Sequence, residues 1–374
     1  MRYENVYLDG IVSTLPDEIL TTDSLEQILS PLYDRLRLPY GRLELMTGIE
    51  ERRLWPKGML PGQASVKTVE RLLTVTGVPQ ESIGAFIHAS VCRDYQEPAT
   101  ACDVHRRCGL SQDCSIFDIS NACLGLLTGA VTIANMIELG QIEAGIVVGS
   151  ENSRTLLETT LARLLGDETL TRQSVKPIFA SLTIGSGSAA MLLTNRRLTR
   201  TGNRLLGGVV GADSLRADLC RSEIDVSAGG SADGQFMRTD SEALLHAGVN
   251  LAERQFARFL PEVGWTVERI DRTFCHQVGR AHQNLVMERL GLDASKNFMT
   301  FPLLGNTGSV ALPTAAAIGI ASGFAREGQR LALLGIGSGV NVVMLAVDWQ
   351  TTLPDPETVP LVEYSRFLAR NTAG

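Results

Sequence analysis

Four residues in this chain stand where chemistry could be done. Cys123 lies in Asn121-Ala122-Cys123-Leu124-Gly125, between a β-rich run, Ser115 to Ser120, and a mostly apolar run, Leu126 to Leu139. A buried strand entering a buried helix gives this pattern. A thiol at that junction faces the free N–H groups and positive dipole end of the helix, which lowers its pKa and favours the thiolate. Ala122 and Gly125 permit a tight turn and close approach of a substrate. The plain alternative is a core cysteine, since free Cys is among the most buried residue types. His276 and Asn306 are the singular residues of two later turns, and Asn306 is set in Gly305-Asn306-Thr307-Gly308. A nucleophilic cysteine needs a nearby imidazole, and an amide completes a polar cradle.

Glu97 is the fourth. The strand-like run 83–90 empties into Arg93-Asp94-Tyr95-Gln96-Glu97, and Pro98 suits the first turn of a helix. Glu97 therefore sits at a strand–loop–helix crossover, where catalytic groups are common. From position alone the preferred reading is a helix-start carboxylate serving the dipole. A metal site is not expected. Cys102 and His105 would share a helix face, but Cys108 sits further round and no CxxC pair or fourth ligand is evident. The Gly-rich 184–193 stretch has no GK[ST] and no following helix, so it is not a phosphate loop. His88, His105, His246 and His282 carry no motif and read as structural or surface histidines.

The elements that must position these groups repeat. A strand at 83–90 is mirrored by one at 270–278, and the Cys123 turn with its helix by Gly305–Ser309 with a small-residue helix, 310–320. The strands at 144–151 and 184–193 are mirrored by 330–335 and 340–347. Two copies of one αβ unit predict a duplicated α/β fold whose strand ends meet at one crevice. The expected division is a first half at 1–194 carrying the cysteine, connecting and surface loops at 195–240, and a second half at 241–374 carrying the histidine and the amide. Further helices are expected at 22–37, 65–76 and 241–259, and a first strand at 3–13.

At 374 residues, 44% hydrophobic and 20% charged, the chain is an ordinary globular protein with room for a large core. The net charge of −7, with no basic run, gives no electrostatic footprint for nucleic acid. Of 34 basic residues only Lys57, Lys67, Lys176 and Lys296 are lysines. Arg is the better bidentate partner for phosphate or carboxylate, which suits a CoA-type ligand. The run 124–139 is short for a membrane span and contains Asn135, so none is expected. Seven cysteines without paired spacing, and an N-terminus without an apolar signal core, point to a reducing cytoplasm.

Ser120-Asn121-Ala122-Cys123-Leu124-Gly125, Cys275-His276-Gln277-Val278, Gly305-Asn306-Thr307-Gly308 and Ile336-Gly337-Ser338-Gly339 together resemble the thiolase superfamily in its ketoacyl synthase III branch. Thr47-Gly48-Ile49-Glu50-Glu51-Arg52-Arg53 matches an early motif of that branch, so the resemblance spans nearly the whole chain. Arg93 to Pro98, and the spacing from Glu97 to Cys123, look most like the acyl-CoA-condensing enzymes of olefin biosynthesis, the OleA type.

The resemblance implies a thiolase fold, duplicated αβαβα layers with mixed five-stranded sheets. It implies head-to-head Claisen condensation of two fatty acyl-CoAs without decarboxylation, through an acyl-Cys123 intermediate. Backbone N–H groups of Cys123 and Ser338 would form the oxyanion hole, and His276 and Asn306 would donate to an enolate oxygen. Glu97 would be the base, reaching the thiol site of a partner subunit. That reverses its plainer reading. A homodimer, acyl-CoA or acyl-carrier-protein substrates and no further cofactor follow. Two alternatives stand beside this: decarboxylative ketoacyl synthase III chemistry or acyl transfer, and a non-catalytic subunit of a condensing complex. Where branch members sandwich the CoA adenine between Trp and Arg, this chain has Arg42 and Met46, so no CoA-binding residue is assigned.

Overall fold

The computed structural model describes residues 1–224, 235–355 and 361–372. The first half contains β1 (Tyr7–Thr14), β2 (Glu18–Thr21), α1 (Thr22–Ile28), α2 (Ser30–Leu36), α3 (Arg42–Thr47), β3 (Glu51–Leu54), α4 (Pro61–Thr76), β4 (Ile83–Ala89) and α5 (Thr100–Arg107). It continues with β5 (Ser115–Ile119), α6 (Gly125–Glu138), β6 (Ala144–Glu151), α7 (Arg154–Gly166), α8 (Arg172–Val175) and β7 (Gly187–Thr194). Then come β8 (Arg204–Ala212), β9 (Cys220–Ile224), β10 (Gln235–Thr239), α9 (Ser241–Val263), β11 (Arg272–Cys275), α10 (Arg280–Leu290) and α11 (Phe301–Leu304). The chain closes with α12 (Ala311–Ala321), β12 (Gln329–Gly337), β13 (Asn341–Trp349) and α13 (Leu361–Thr372).

Among the described residues, nine strands form one sheet in the order β11-β12-β13-β8-β1-β7-β6-β4-β5. The order shows the duplication directly. In the first half β4 pairs parallel with β5 and β6, then β6–β7 and β7–β1 are antiparallel. In the second half β11–β12 is parallel, then β12–β13 and β13–β8 are antiparallel. The place matching β5 is held by one parallel bridge, Thr273 to Asn297. Each half thus follows the five-position plan, with the second half's fifth strand reduced to that bridge. The halves join where β1 meets β8.

Burial sorts the helices into layers. Leu126, Ile133 and Ile137 of α6 and Leu312, Ala315 and Ile318 of α12 share one apolar cluster with Ile87, Val147, Leu333 and Leu345 from both halves' strands. Val66, Val69 and Leu72 of α4 with Val104 of α5 cover the opposite face of the first half, against Phe86, Ile146 and Val148. Val249, Phe256 and Phe259 of α9 with Val286 and Met287 of α10 do the same for the second. The result is outer helices, the strands of one half, two central helices, the strands of the other half, and outer helices. Strands covered on both faces lose the alternating pattern, and all eight residues of β6 and of β7 are buried.

The structure departs from expectation in three places. The helix expected at 22–37 divides at Leu29, because Pro31 opens a new helix there. The helix after the Glu97 loop begins at Thr100, with Pro98 outside it. The 195–240 segment is not only loop: β8 lies inside it and pairs along its length with β13, and β9–β10 form a hairpin. Gly207, Gly208 and Gly211 made β8 read as irregular. The strands approach so closely that a Cβ on Gly208 would sit 1.8 Å from Met344 O. The rest of that segment, 225–234, lies outside the described residues.

Candidate active site

Cys123 lies in a 3₁₀ turn, Ala122–Leu124, between β5 and α6. Ala122 enters that turn at φ +45°. A left-handed conformation costs an L-residue roughly 1–2 kcal/mol, and such strain collects at functional sites. Two glycines seat the turn: a Cβ on Gly125 would lie 3.1 Å from Ala89 O, and one on Gly337 would lie 2.9 Å from Leu124 Cγ. The backbone amides of Ser338 and of Cys123 itself lie near the sulfur and favour its ionised form. These donors lower the thiol's pKa, but burial outweighs them and pushes it up to about 12. The expected thiolate is therefore corrected. The helix proper begins two residues later, at Gly125, and desolvation of a charged sulfur is the larger effect. At rest the thiol keeps its proton.

His276 follows β11 and extends its ladder by one residue, its N–H donating to Leu334 O at 3.3 Å. The side chain is buried, and its Nδ1 has no partner among the described residues. Burial, with His282 edge-on at 6.3 Å, holds its pKa down at about 3, so the imidazole is neutral. Gln277 sews this exit to the next segment. Its Nε2 donates to Cys275 O and Phe298 O at 2.8 and 3.1 Å, and its Oε1 accepts from Thr300 and Phe301 N–H at 2.8 and 3.2 Å.

Asn306 is fixed by the opposite half. Its N–H donates to Thr183 O, and its carbonyl accepts from Gly185 N–H, both at 2.9 Å. Gly305 enters at φ +66°, where a Cβ would sit 2.5 Å from Thr183 O. Asn306 Oδ1 accepts from Gly308 N–H at 3.0 Å, which orients the amide and leaves Nδ2 with no acceptor among the described residues. The turn after Asn306, Gly308–Val310, packs against the Cys123 turn, and Ser309 Cβ would be 3.5 Å from a Cβ on Gly125.

Glu97 lies in the loop that follows β4. It is exposed there, and no hydrogen bond or ion pair to it occurs among the described residues. The plainer reading, service to the helix start, is filled by another carboxylate. Asp118, on β5, accepts from Thr100 and Ala101 N–H at 2.9 Å each.

Sequence reasoning gave no role to Glu151 or Gln277. Glu151 is a buried carboxylate at the end of β6, and its Oε1 accepts from Ser309 Oγ at 2.5 Å. A charged residue ending an otherwise apolar strand run was the available signal. Among the described residues, no three His, Cys, Asp or Glu side chains gather to hold a metal ion. His105 instead hydrogen-bonds to Ser111 O at 2.9 Å. No helix among the described residues is long and apolar enough to cross a membrane.

The geometry can be set beside known proteins. Residues 117–214 match the family described as 3-oxoacyl-(acyl-carrier-protein) synthase III, and residues 260–349 match its C-terminal part. An acyl-CoA:acyl-CoA alkyltransferase of Shewanella oneidensis is 40% identical over 353 residues, covering 93% of this chain and 100% of that protein. A protein of the same name from Xanthomonas campestris is 34% identical, covering 93% and 100%. A solved structure of a Cys-to-Ser variant of Xanthomonas campestris OleA, with bound lauric acid and lauroyl-CoA, has a TM-score of 0.86 at 33% identity and covers 93% and 100%.

Proposed function

The chain belongs to the acyl-CoA:acyl-CoA alkyltransferase family, in the ketoacyl synthase III branch of the thiolase superfamily, and we propose that it joins two fatty acyl-CoAs head to head at Cys123. The observation that carries this reading is the seating of the Cys123 turn against the end of β12, where a Cβ on Gly337 would lie 3.6 Å from Cys123 Cβ and the amides of Cys123 and Ser338 lie near the sulfur. A carbonyl oxygen brought to that sulfur lies beside the same two donors, and one such donor is typically worth about 3–4 kcal/mol in the transition state.

The reaction divides into two steps. Cys123 attacks the thioester carbonyl of the first acyl-CoA, and its proton passes to the neutral imidazole of His276. The tetrahedral oxyanion rests on the Cys123 and Ser338 amides. It collapses to acyl-Cys123, and the departing CoA thiolate takes the proton from the imidazolium. A thiol with a raised pKa is a poor nucleophile alone, so a neutral base is required, and burial keeps His276 in that form.

In the second step Glu97 takes an α-proton from the second acyl-CoA. The enolate oxygen receives hydrogen bonds from His276 and from Asn306 Nδ2, whose orientation Gly308 sets. The α-carbon attacks the acyl carbonyl, the C–C bond forms and Cys123 leaves as thiolate. The proton on Glu97 returns to the sulfur. The products are a β-ketoacyl-CoA and free CoA; atoms balance with no CO2 lost and no cofactor consumed.

Glu97 acts from the neighbouring subunit of a homodimer. Its exposure supports this, and so does the open edge of the sheet at β5, where Phe117 and Ile119 are only half-buried. An exposed edge strand is a template for pairing with a second copy. The strand that would pair leads straight into the Cys123 turn.

Glu97→Ala tests the assignment, with lauroyl-CoA as substrate. Acylation of Cys123, read by intact mass, survives, while β-ketoacyl-CoA formation falls by roughly 10²–10⁴, the usual contribution of a general base. Condensation unchanged in Glu97→Ala would overturn the role of Glu97. Thiol release by the unaltered protein that requires malonyl-carrier protein would replace the reading with decarboxylative chemistry.

A further inference from the structure

Glu151 is 5% exposed and ends β6 beside the site. Its carboxylate has no salt-bridge partner among the described residues. All its contacts there are neutral donors. Oε1 accepts from Val91 N–H at 3.0 Å, from Ser309 N–H at 3.3 Å and from Ser309 Oγ at 2.5 Å. Oε2 accepts from Cys92 N–H at 3.2 Å. A Cβ on Gly308 would lie 3.2 Å from the carboxyl group, so the turn is packed directly on it.

A buried anion without a countercharge is expensive, and a buried amide would be cheaper. Its donors explain what the charge does, because hydrogen bonds to an ionised acceptor are roughly twice as strong as neutral ones. Val91 and Cys92 open the loop that carries Glu97. Gly308 and Ser309 close the turn that carries Asn306. One carboxylate therefore binds the base of both. Gly308 in turn donates to Asn306 Oδ1, so the path from Glu151 to the amide is two links long. After burial, the Ser338 amide and Cys220, the charge of Glu151 is also among the influences on the Cys123 thiol, opposing the thiolate.

We infer that Glu151 is a positioning residue for the carbon–carbon bond-forming step, holding the Asn306 turn and the Glu97 loop in register with each other. The inference rests on the condensing reading above. Acylation draws on the Cys123 and Ser338 amides and His276, none of which hydrogen-bonds to Glu151. Condensation draws on both groups that Glu151 ties down. The expected signature is a split between the two steps.

The test uses the full-length protein with lauroyl-CoA, following acyl-Cys123 by intact mass and β-ketoacyl-CoA by chromatography. In Glu151→Gln acylation falls less than about threefold and condensation falls about tenfold or more. Ser309→Ala gives the same split more weakly, and the double variant is no worse than Glu151→Gln alone, because the two residues act through one contact. Equal loss in both steps, or full additivity of the two substitutions, overturns the inference. If Glu151→Gln does not fold, Ser309→Ala must still show the split; if it lowers both steps equally the inference fails. An unaltered protein that forms acyl-Cys123 but no β-keto product would instead defeat the condensing reading.

Discussion

In the first half of the molecule β5 enters the Cys123 turn through Ala122 at φ +45°. In the second half the equivalent turn enters through Gly305 at φ +66° and is pinned sideways to Thr183 and Gly185 of the first half. The strand ends show the same exchange. Ser338, just past β12, sets its backbone amide near the sulfur of the first half's turn. Glu151, at the equivalent end of β6, accepts from Ser309 in the second half's turn. Each half's strand end thus braces the other half's turn. A duplication by itself would give two similar sites. Exchanging the braces gives one site with a thiol on one side and an amide donor on the other.

The two strand-end histidines show how a register difference separates equivalent positions. On β4, Ala85, Ile87 and Ala89 face the central layer and Phe86 faces the outer one. His88 shares the face of Phe86, and both its ring nitrogens lack partners among the described residues. On β11, Phe274 faces the central layer and Cys275 the outer one. By alternation His276 falls on the central side, with its ring edge-on to His282 at 6.3 Å. A one-residue shift changes which face a strand side chain occupies.

The strongest way to break the comparison is to remove each turn's own residue. Cys123→Ser abolishes both steps, a loss on the order of 10⁴-fold or more in turnover. Asn306→Ala leaves acylation of Cys123 intact while condensation falls roughly 10²–10³-fold, the cost of one lost oxyanion donor. Rapid-quench mass spectrometry of the acyl-enzyme separates them. If Asn306→Ala stops acylation as well, the turns do not divide the chemistry.

A pH titration of stability compares the histidines. Burial lowers the pKa of His88 to about 4, His276 to about 3 and His282 to about 4, from an ordinary 6.5. The unfolded chain binds these protons below pH 6.5 while the folded protein does not, so stability is lost as pH falls from 6.5 towards 4. Each histidine contributes about 1.4 kcal/mol per pH unit within that window. His88→Gln removes one such contribution, and urea unfolding at pH 6 and pH 5 shows the shallower slope. An unchanged slope means His88 already holds its proton in the folded state.

The fold was readable because the repeat is carried by apolar strands and small-residue helices whose types survive in both copies. The fifth strand of the second half was not readable, since one bridge at Asn297 leaves no periodic signal. Nor was β8, whose glycines answer to contact with Met344 and not to a turn. Within the site, Cys123, His276 and Asn306 stood out because each interrupts an otherwise apolar or glycine-rich unit. The protonation of Cys123 did not, because helix position is visible in sequence and desolvation is not. Glu151 escaped notice because its partners lie 60 and 158 residues away along the chain.

The smallest expected effects concern the backbone of the two turns, and opposite substitutions should have opposite signs. Ala122→Gly relieves a left-handed conformation worth roughly 1–2 kcal/mol, but frees the unfolded chain by about 0.5–1 kcal/mol. The net gain in stability is between about 0 and 1.5 kcal/mol. Gly305→Ala forces an L-residue into φ +66°, ψ −161°, a region essentially confined to glycine, and adds a collision, because the new Cβ would lie 2.5 Å from Thr183 O, a backbone atom of the other half. It should destabilise by about 2 kcal/mol, within the range for strained positions. Urea midpoints measured side by side decide this. If strain at Ala122 aims the sulfur, Ala122→Gly also slows acylation several-fold despite the added stability. A stabilised variant that acylates at the original rate would show that the two amide donors on the sulfur suffice to place it.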